Sequence, residues 1–226
     1  MVIKKSLKFE AANHKLRDKK ILITAGPTWV PIDSVRVISN IATGETGILL
    51  AKNFRKAGAK VTLLLGPQVV CRLDKKIKIL HFKFFDEIKE LLKKEVQAGK
   101  YDAVIHSAAV SDYRPKKTYR HKISSALKRL EIKLVRTEKL IDTIKKIDPQ
   151  LLLVGFKFLP DVGKAKLINE ARKLIKSSRA DLIVANTILH NRYKAYIVGR
   201  DFTSIPIFTK EDLAENLTKA TLRNLM

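Results

Sequence analysis

Four stretches of this 226-residue chain set groups capable of chemistry beside glycine or other small residues. The first is Gly26-Pro-Thr-Trp-Val-Pro-Ile-Asp-Ser-Val-Arg-Val-Ile-Ser-Asn-Ile-Ala-Thr-Gly-Glu-Thr-Gly47. It follows the apolar run Ile21–Ala25 and precedes a helical pattern from Ile48. A loop of this composition lets backbone come close to phosphate, and the helix start adds free N–H donors and a partial positive charge. A dinucleotide fingerprint would place only about three to five residues between strand and helix, so the layout is related but the chemistry differs. The second stretch, Ile105-His-Ser-Ala-Ala-Val-Ser-Asp-Tyr-Arg-Pro115, begins at the end of another apolar run. Its small residues Ser107, Ala108 and Ala109 leave room for a ligand, and Asp112 offers a carboxylate that can accept hydrogen bonds from a ribose or a base. The third, Arg114-Pro-Lys-Lys-Thr-Tyr-Arg-His-Lys122, carries five fixed positive charges in nine residues. It reads either as a solvated loop or as an arm that stabilises charge developing on a phosphoryl group. The fourth comprises two strand ends, Leu153-Val-Gly-Phe-Lys-Phe158 and Leu182-Ile-Val-Ala-Asn186, where Phe156 or Phe158 could lie against a base and Asn186 presents an amide.

The elements that must position these groups alternate. Short runs rich in Val, Ile and Leu predict strands at 21–25, 61–65, 77–82, 103–107, 132–136, 151–155 and 182–185. Helical spacing predicts helices at 48–57, 85–97, 140–147, 164–178 and 211–224, the last capped by Thr209. This is an α/β pattern with a doubly wound, mostly parallel, Rossmann-like sheet. A small β-hairpin extension is expected from 195–200 and 204–208 around Asp201-Phe-Thr. Residues 112–130 show neither period, and residues 1–19 read as an N-terminal extension to one α/β domain over 20–226.

Apolar residues make up 46% of the chain, enough for a substantial core. No apolar run approaches the roughly 18 residues of a membrane span, and the N-terminus lacks the apolar stretch of a secretory signal. The single cysteine, Cys71, cannot form an internal disulfide, which fits a reducing cytoplasm. His14, His81, His106, His121 and His190 have no metal-ligand spacing, and neither a nucleophile elbow nor a Walker A sequence is present. The net charge of +24 is spread along the chain rather than gathered in a tail or finger. It therefore suits anionic small substrates better than dedicated nucleic-acid binding.

In order and spacing, Thr24-Ala-Gly-Pro-Thr28, Pro31-Ile-Asp33, Val35-Arg-Val-Ile-Ser-Asn40, Gly44, Gly47, Ala108-Ala-Val-Ser-Asp-Tyr-Arg-Pro115, His121-Lys-Ile123, Val154-Gly-Phe156 and Asp181-Leu-Ile-Val-Ala-Asn186 resemble the phosphopantothenoylcysteine synthetase family, from about Lys20 to Leu217. The resemblance implies a ligase of coenzyme A biosynthesis that joins 4′-phosphopantothenate to cysteine through an acyl-nucleotide. CTP or ATP is the co-substrate, Mg²⁺ is held mainly through the phosphates, and the enzyme is expected to be a cytoplasmic homodimer. Asn40 and Lys122 would be catalytic, Asn40 holding the activated acyl group and Lys122 neutralising the α-phosphate. Arg36, Ala109 and Asn186 would bind substrate. Gly26, Thr28, Gly44, Gly47, Ala108, Asp112 and Phe156 would form the nucleotide site. The chain departs from the family pattern at Glu45, where a basic residue is common, and at Ser124 and Ser125, where lysines are common.

Two other readings remain open at this stage. Tyr113-x-x-x-Lys117 has the spacing of a short-chain dehydrogenase pair, although Pro115 opposes the single helix that pair requires. A catalytically inactive, nucleic-acid-binding relative would also accommodate the charge and the departures.

Overall fold

The computed structural model describes residues 16–67 and 73–226, so Cys71, His14 and most of the expected N-terminal extension lie outside the described residues. In chain order the elements are β1 (Lys20–Ala25), β2 (Trp29–Pro31), β3 (Val37–Ser39), α1 (Glu45–Lys56), β4 (Lys60–Leu65), β5 (Lys78–His81), α2 (Phe85–Ala98), β6 (Ala103–His106), β7 (Tyr113–Pro115), β8 (Leu134–Arg136), α3 (Ile141–Ile147), β9 (Leu152–Phe158), α4 (Lys164–Ser178), β10 (Leu182–Leu189), β11 (Arg192–Val198) and α5 (Lys210–Leu225).

Seven strands form one sheet in the order β11-β10-β9-β6-β1-β4-β5, parallel except for the antiparallel edge strand β11. The chain leaves β1 toward β4 and β5, then returns to pair β6 on the other side of β1. The order therefore reverses beside β1, where open α/β sheets hold their ligands. Alternation along the strands divides the core into two layers. Ile21, Ile23, Val61, Leu63, Val154 and Val184 pack with the buried faces of α1 and α5. Leu22, Leu64, Val104, Leu153 and Ile183 face α2, α3 and α4. Strands covered on both faces have no polar side to show, which is why they read as nearly continuous aliphatic runs.

The lead-in to β1 is partly built into this core. Leu16 is buried and its N–H reaches the Ala57 carbonyl at 3.2 Å.

Three segments differ from the sequence expectation. The run read as a strand at 132–136 shortens to β8 and leaves the main sheet, pairing antiparallel with β7 as a separate two-stranded ribbon. The segment from 112, read as structureless, thus begins with a strand. Pro115 sits at its end, where a missing N–H costs a small ribbon little. The expected hairpin over 195–208 forms without a regular second strand: Ala195 and Ile207 exchange both backbone hydrogen bonds, Ser204 N–H donates to the Ile197 carbonyl and Gly199 N–H to the Phe202 carbonyl. The principal partner of β11 is instead β10, joined through His190 and Asn191, both at positive φ (49° and 58°) as a tight hairpin turn requires. That pairing carries β10 past Ala185 to Leu189, since each residue from Asn186 to Leu189 has a register partner on β11.

Candidate functional site

The site is assembled from loops that leave the carboxyl ends of β1 and β6. Gly26 turns the chain out of β1 at φ +89°, and a Cβ there would sit 3.2 Å from the Gly66 backbone. Two strand ends approach so closely that only glycine fits the turn. The β1 and β6 loops then run side by side. Thr28 N–H donates to the Ala109 carbonyl at 3.3 Å, and Ala109 N–H donates to the Gly26 carbonyl at 2.9 Å. Below them, Ser107 Oγ donates to the Thr24 carbonyl at 2.6 Å, and Ala108 N–H donates to Thr24 Oγ1 at 3.1 Å. The buried Thr28 hydroxyl accepts from Ser111 N–H at 2.9 Å and lies 3.0 Å from Ser111 Oγ. Small side chains with internally satisfied hydroxyls let the two loops merge into one ledge.

Across this ledge lies the β2–β3 hairpin. Asn40, immediately after β3, donates through Nδ2 to the carbonyls of Ala109 (3.0 Å) and Val110 (3.2 Å). Ser39 Oγ anchors the same strand end to the Thr28 carbonyl at 3.1 Å.

At the hairpin's other end Asp33, only 4% exposed, closes its turn. One carboxylate oxygen accepts from Val35 and Arg36 N–H, both at 2.8 Å, and the other from Arg36 Nε at 2.9 Å and Ile123 N–H at 3.0 Å. Arg36 Nη2 pairs with Asp33 at 2.7 Å and donates to the Ile123 carbonyl at 2.6 Å. Hydrogen bonds to the charged form, that from Ile123 first among them, hold the Asp33 carboxyl well below the usual carboxylate range. Ile123 directly follows Lys122, so the clip fixes the backbone that carries the expected catalytic lysine. The basic arm is also tied at Tyr119, whose N–H donates to the Ile32 carbonyl at 2.9 Å.

The third wall is the start of α1. Gly44 takes the left-handed conformation at φ 72°, and Gly47 packs the helix against the strand ends. A Cβ on Gly47 would lie 2.4 Å from Ala25 Cβ and 2.9 Å from Ser107 Oγ. The first turn thus stands over β1 and β6; Glu45 N–H reaches Thr43 Oγ1 at 3.4 Å, and the N–H groups of Thr46 and Gly47, which have no partner within the helix, are where an anion can approach. Glu45 in that turn forms an ion pair with Lys210 at the start of α5.

The structure joins the β1 loop (Gly26, Thr28), the hairpin (Arg36, Asn40), the β6 loop (Ala108, Ala109) and the backbone next to Lys122 by direct hydrogen bonds. Lys122 and Asp112 themselves are exposed. Thr28 is fully buried, so it supports the ledge rather than lining its surface. Arg36 spends its guanidinium on Asp33 and Ile123. Phe156 and Asn186 stand on the neighbouring strands β9 and β10. Phe156 follows Gly155, the register partner of His106, and packs against the core layer of α1 and α5. Among the described residues, the buried Asn186 Oδ1 finds no hydrogen-bond donor.

Sequence reasoning assigned no role to Asp33, although Asp33-Ser-Val-Arg36 has the spacing of an Asx turn. It also passed over Lys210, separated from Glu45 by most of the chain, for which no local signal exists. Tyr113 lies on strand β7, so Tyr113 and Lys117 do not share the helix that a dehydrogenase pair needs.

A groove of about 720 Å³ lies at the opposite, amino ends of β1, β4 and β5. Of the cations that line it, Lys60 pairs with Asp18, Lys78 with Glu95 and Arg55 with Asp74, while Arg17, Lys20 and Lys76 lie beside them. Among the described residues, no three His, Cys, Asp or Glu side chains gather to hold a metal ion, and no helix is long and apolar enough to cross a membrane.

Comparison with known proteins bears on the family and the fold. The family described as the DNA/pantothenate metabolism flavoprotein C-terminal domain matches residues 16–225. The coenzyme A biosynthesis bifunctional protein CoaBC of Thermococcus kodakarensis is 37% identical over 207 residues, which cover 89% of this chain and 50% of that one. The corresponding protein of Borreliella burgdorferi is 33% identical over 212 residues, covering 90% and 52%. The chain therefore spans about half the length of the curated relatives it matches. Among solved structures, the DNA/pantothenate metabolism flavoprotein from Streptococcus pneumoniae superimposes with a TM-score of 0.82 at 29% identity, over 91% of this chain and 99% of that one. A Cab2 mutant in complex with phosphopantothenate-cysteine shares the fold, with a TM-score of 0.78 at 18% identity over 99% of this chain and 92% of that one.

Proposed function

Since the chain belongs to the DNA/pantothenate metabolism flavoprotein C-terminal domain family, we propose that it is the ligase that joins 4′-phosphopantothenate to cysteine in coenzyme A biosynthesis. The carboxylate oxygen of 4′-phosphopantothenate attacks the α-phosphorus of CTP or ATP, supplied as the magnesium salt. The bond from that phosphorus to the bridging oxygen breaks, and pyrophosphate leaves. The amine of cysteine then attacks the acyl carbon of the resulting acyl-nucleotide. The acyl C–O bond breaks, a proton leaves the nitrogen, and nucleoside monophosphate departs with the amide formed. A carboxylate is a poor acyl donor until its oxygen becomes part of a good leaving group, and two polyanions must be held together for that to happen.

The observation that carries the proposal is the double duty of the β2–β3 hairpin. Its base sets Asn40 on the Ala109–Val110 ledge, and its tip clips the backbone beside Lys122. One element thereby ties down Asn40 and the backbone beside Lys122, the two expected catalytic positions. In this reading Lys122 balances charge on the α-phosphate, Asn40 holds the activated acyl group, and Arg36 and Ala109 shape the substrate side. Gly26, Thr28, Gly44, Gly47 and Ala108 build the nucleotide side, where Asp112 and Phe156 form the pocket, and Asn186 belongs to the substrate side. The charge of +24 then serves two anionic substrates. We extend the proposal to a homodimer working in the cytoplasm.

Purified protein given 4′-phosphopantothenate, cysteine, Mg²⁺ and each of the four nucleoside triphosphates in turn should release pyrophosphate with CTP or ATP. Release with none of the four would remove the ligase reading and favour an inactive relative.

A further inference from the structure

We propose that Asp33 is a positioning residue of the ligase reaction: its buried carboxylate latches the basic arm so that Lys122 is held over the α-phosphate. This rests on the ligase reading for what Lys122 does, but the latch itself is a matter of geometry.

The arm between β7 and β8 has little else to hold it. From 116 to 133 it forms no helix or strand. Between 116 and 130 the only buried residue is Ile123. An arm rich in like charges repels itself and tends to extend into solvent, so its course is set by the few bonds that tie it down. At its root, Lys116 N–H donates to the Lys133 carbonyl at 2.8 Å. Among the described residues, every remaining hydrogen bond from the arm to the body of the protein runs to residues 31–36. Thr118 Oγ1 reaches the Pro31 carbonyl at 3.4 Å, Tyr119 N–H reaches the Ile32 carbonyl at 2.9 Å, and Ile123 is gripped on both sides of its peptide unit. That grip is the latch. Asp33 accepts the Ile123 N–H at 3.0 Å, while Arg36, itself oriented by Asp33, donates to the Ile123 carbonyl at 2.6 Å. Lys122 is the residue immediately before the grip, and its own side chain is exposed.

A carboxylate suits this task better than a neutral amide. It accepts from four protein donor groups at once, and its charge holds the guanidinium that completes the clip. An asparagine has a similar shape, but one arm becomes a donor that would face Arg36. Asp33→Asn should therefore loosen the arm without emptying the core.

The test uses the full chain and two readouts. In limited trypsin digestion, Asp33→Asn should be cut at Arg120 or Lys122 at least about tenfold faster than wild type, with a thermal midpoint within a few degrees of it. In the pyrophosphate assay, kcat for Asp33→Asn should fall at least about tenfold while KM for the nucleotide stays within about twofold, because the pocket is intact and only the transition-state cation is misplaced. Equal trypsin rates in the two proteins overturn the latch, whether or not either protein is active. Faster cleavage with unchanged kcat, or a loss confined to KM, overturns the positioning role. Should wild type itself release no pyrophosphate, the ligase reading fails and the trypsin rates alone decide the latch. If Asp33→Asn does not fold, Asp33→Ser, which retains a small acceptor, replaces it under the same criteria.

Discussion

Lys122 and Asn40 are the side chains whose loss should be felt most in chemistry and least in folding. Lys122 is exposed, so Lys122→Gln should keep its thermal midpoint. The first half-reaction should slow by about 10²- to 10³-fold, the effect of withdrawing one preorganised charge from a transition state. Rapid-quench measurement of pyrophosphate formation checks this, and wild-type rates would remove Lys122 from the mechanism. Asn40→Asp is harsher than it looks. It turns a donor facing the Ala109 and Val110 carbonyls into a charged acceptor. Turnover should fall at least about tenfold, and an unaltered kcat would refute the assignment. His106 gives a test by pH. It is buried 3.0 Å from Thr24 Oγ1, and burial pulls its pKa down to about 4. With a folded value below the unfolded one, the unfolded chain takes up the proton first. Stability is therefore complete above about pH 6.5 and declines as pH falls toward 4, by as much as ~3 kcal/mol from this group. Urea melts of wild type and His106→Gln between pH 7 and 4.5 should converge at acid pH as the variant escapes that slope; parallel curves would contradict it.

At the scale of elements, the β2–β3 hairpin and the first turn of α1 do the positioning. Gly47→Ala tests the helix. A methyl group 2.4 Å from Ala25 Cβ must push α1 off the strand ends, costing about 1–3 kcal/mol by overpacking and weakening nucleotide binding. A midpoint and KM both equal to wild type would show that the helix start has slack. The elements differ in how legible they were from residues alone. The buried parallel strands and the five helices announced themselves through aliphatic runs and helical spacing, since those patterns follow directly from burial on two faces or one. β7 did not, nor did the pairing of β8, read as a strand at 132–136, outside the main sheet, because a three-residue strand carries no period and its pairing is decided by a contact some twenty residues away. The hairpin at β10–β11 went unread for a similar reason: its turn, His190-Asn191, lacks the glycine that usually marks a tight turn. For the site, the glycines, Asn40, the small residues after β6 and the basic arm were visible as types in an order. Their joining was not, since Asp33 reaches Ile123 across ninety residues and nothing local to either reveals the other.

For the whole molecule, the switch in strand order beside β1 explains why these loops meet at all. The β1 and β6 loops leave adjacent strand ends, and α1 returns over them. The opposite, basic rim lies at the amino ends of the strands, away from the carboxyl ends where open α/β sheets hold their ligands. The proposed homodimer predicts a solution mass near twice 25.6 kDa by light scattering; a monomer at assay concentration would exclude it. The most direct test of the chemistry follows the carboxylate oxygen. With 4′-phosphopantothenate labelled with ¹⁸O in its carboxyl group, attack on the α-phosphorus and later acyl C–O cleavage must deliver one labelled oxygen to the nucleoside monophosphate, read by mass spectrometry. Label in the monophosphate and none in pyrophosphate is the expected result. Label in inorganic phosphate, or product formed with an unlabelled monophosphate, would contradict an acyl-nucleotide route.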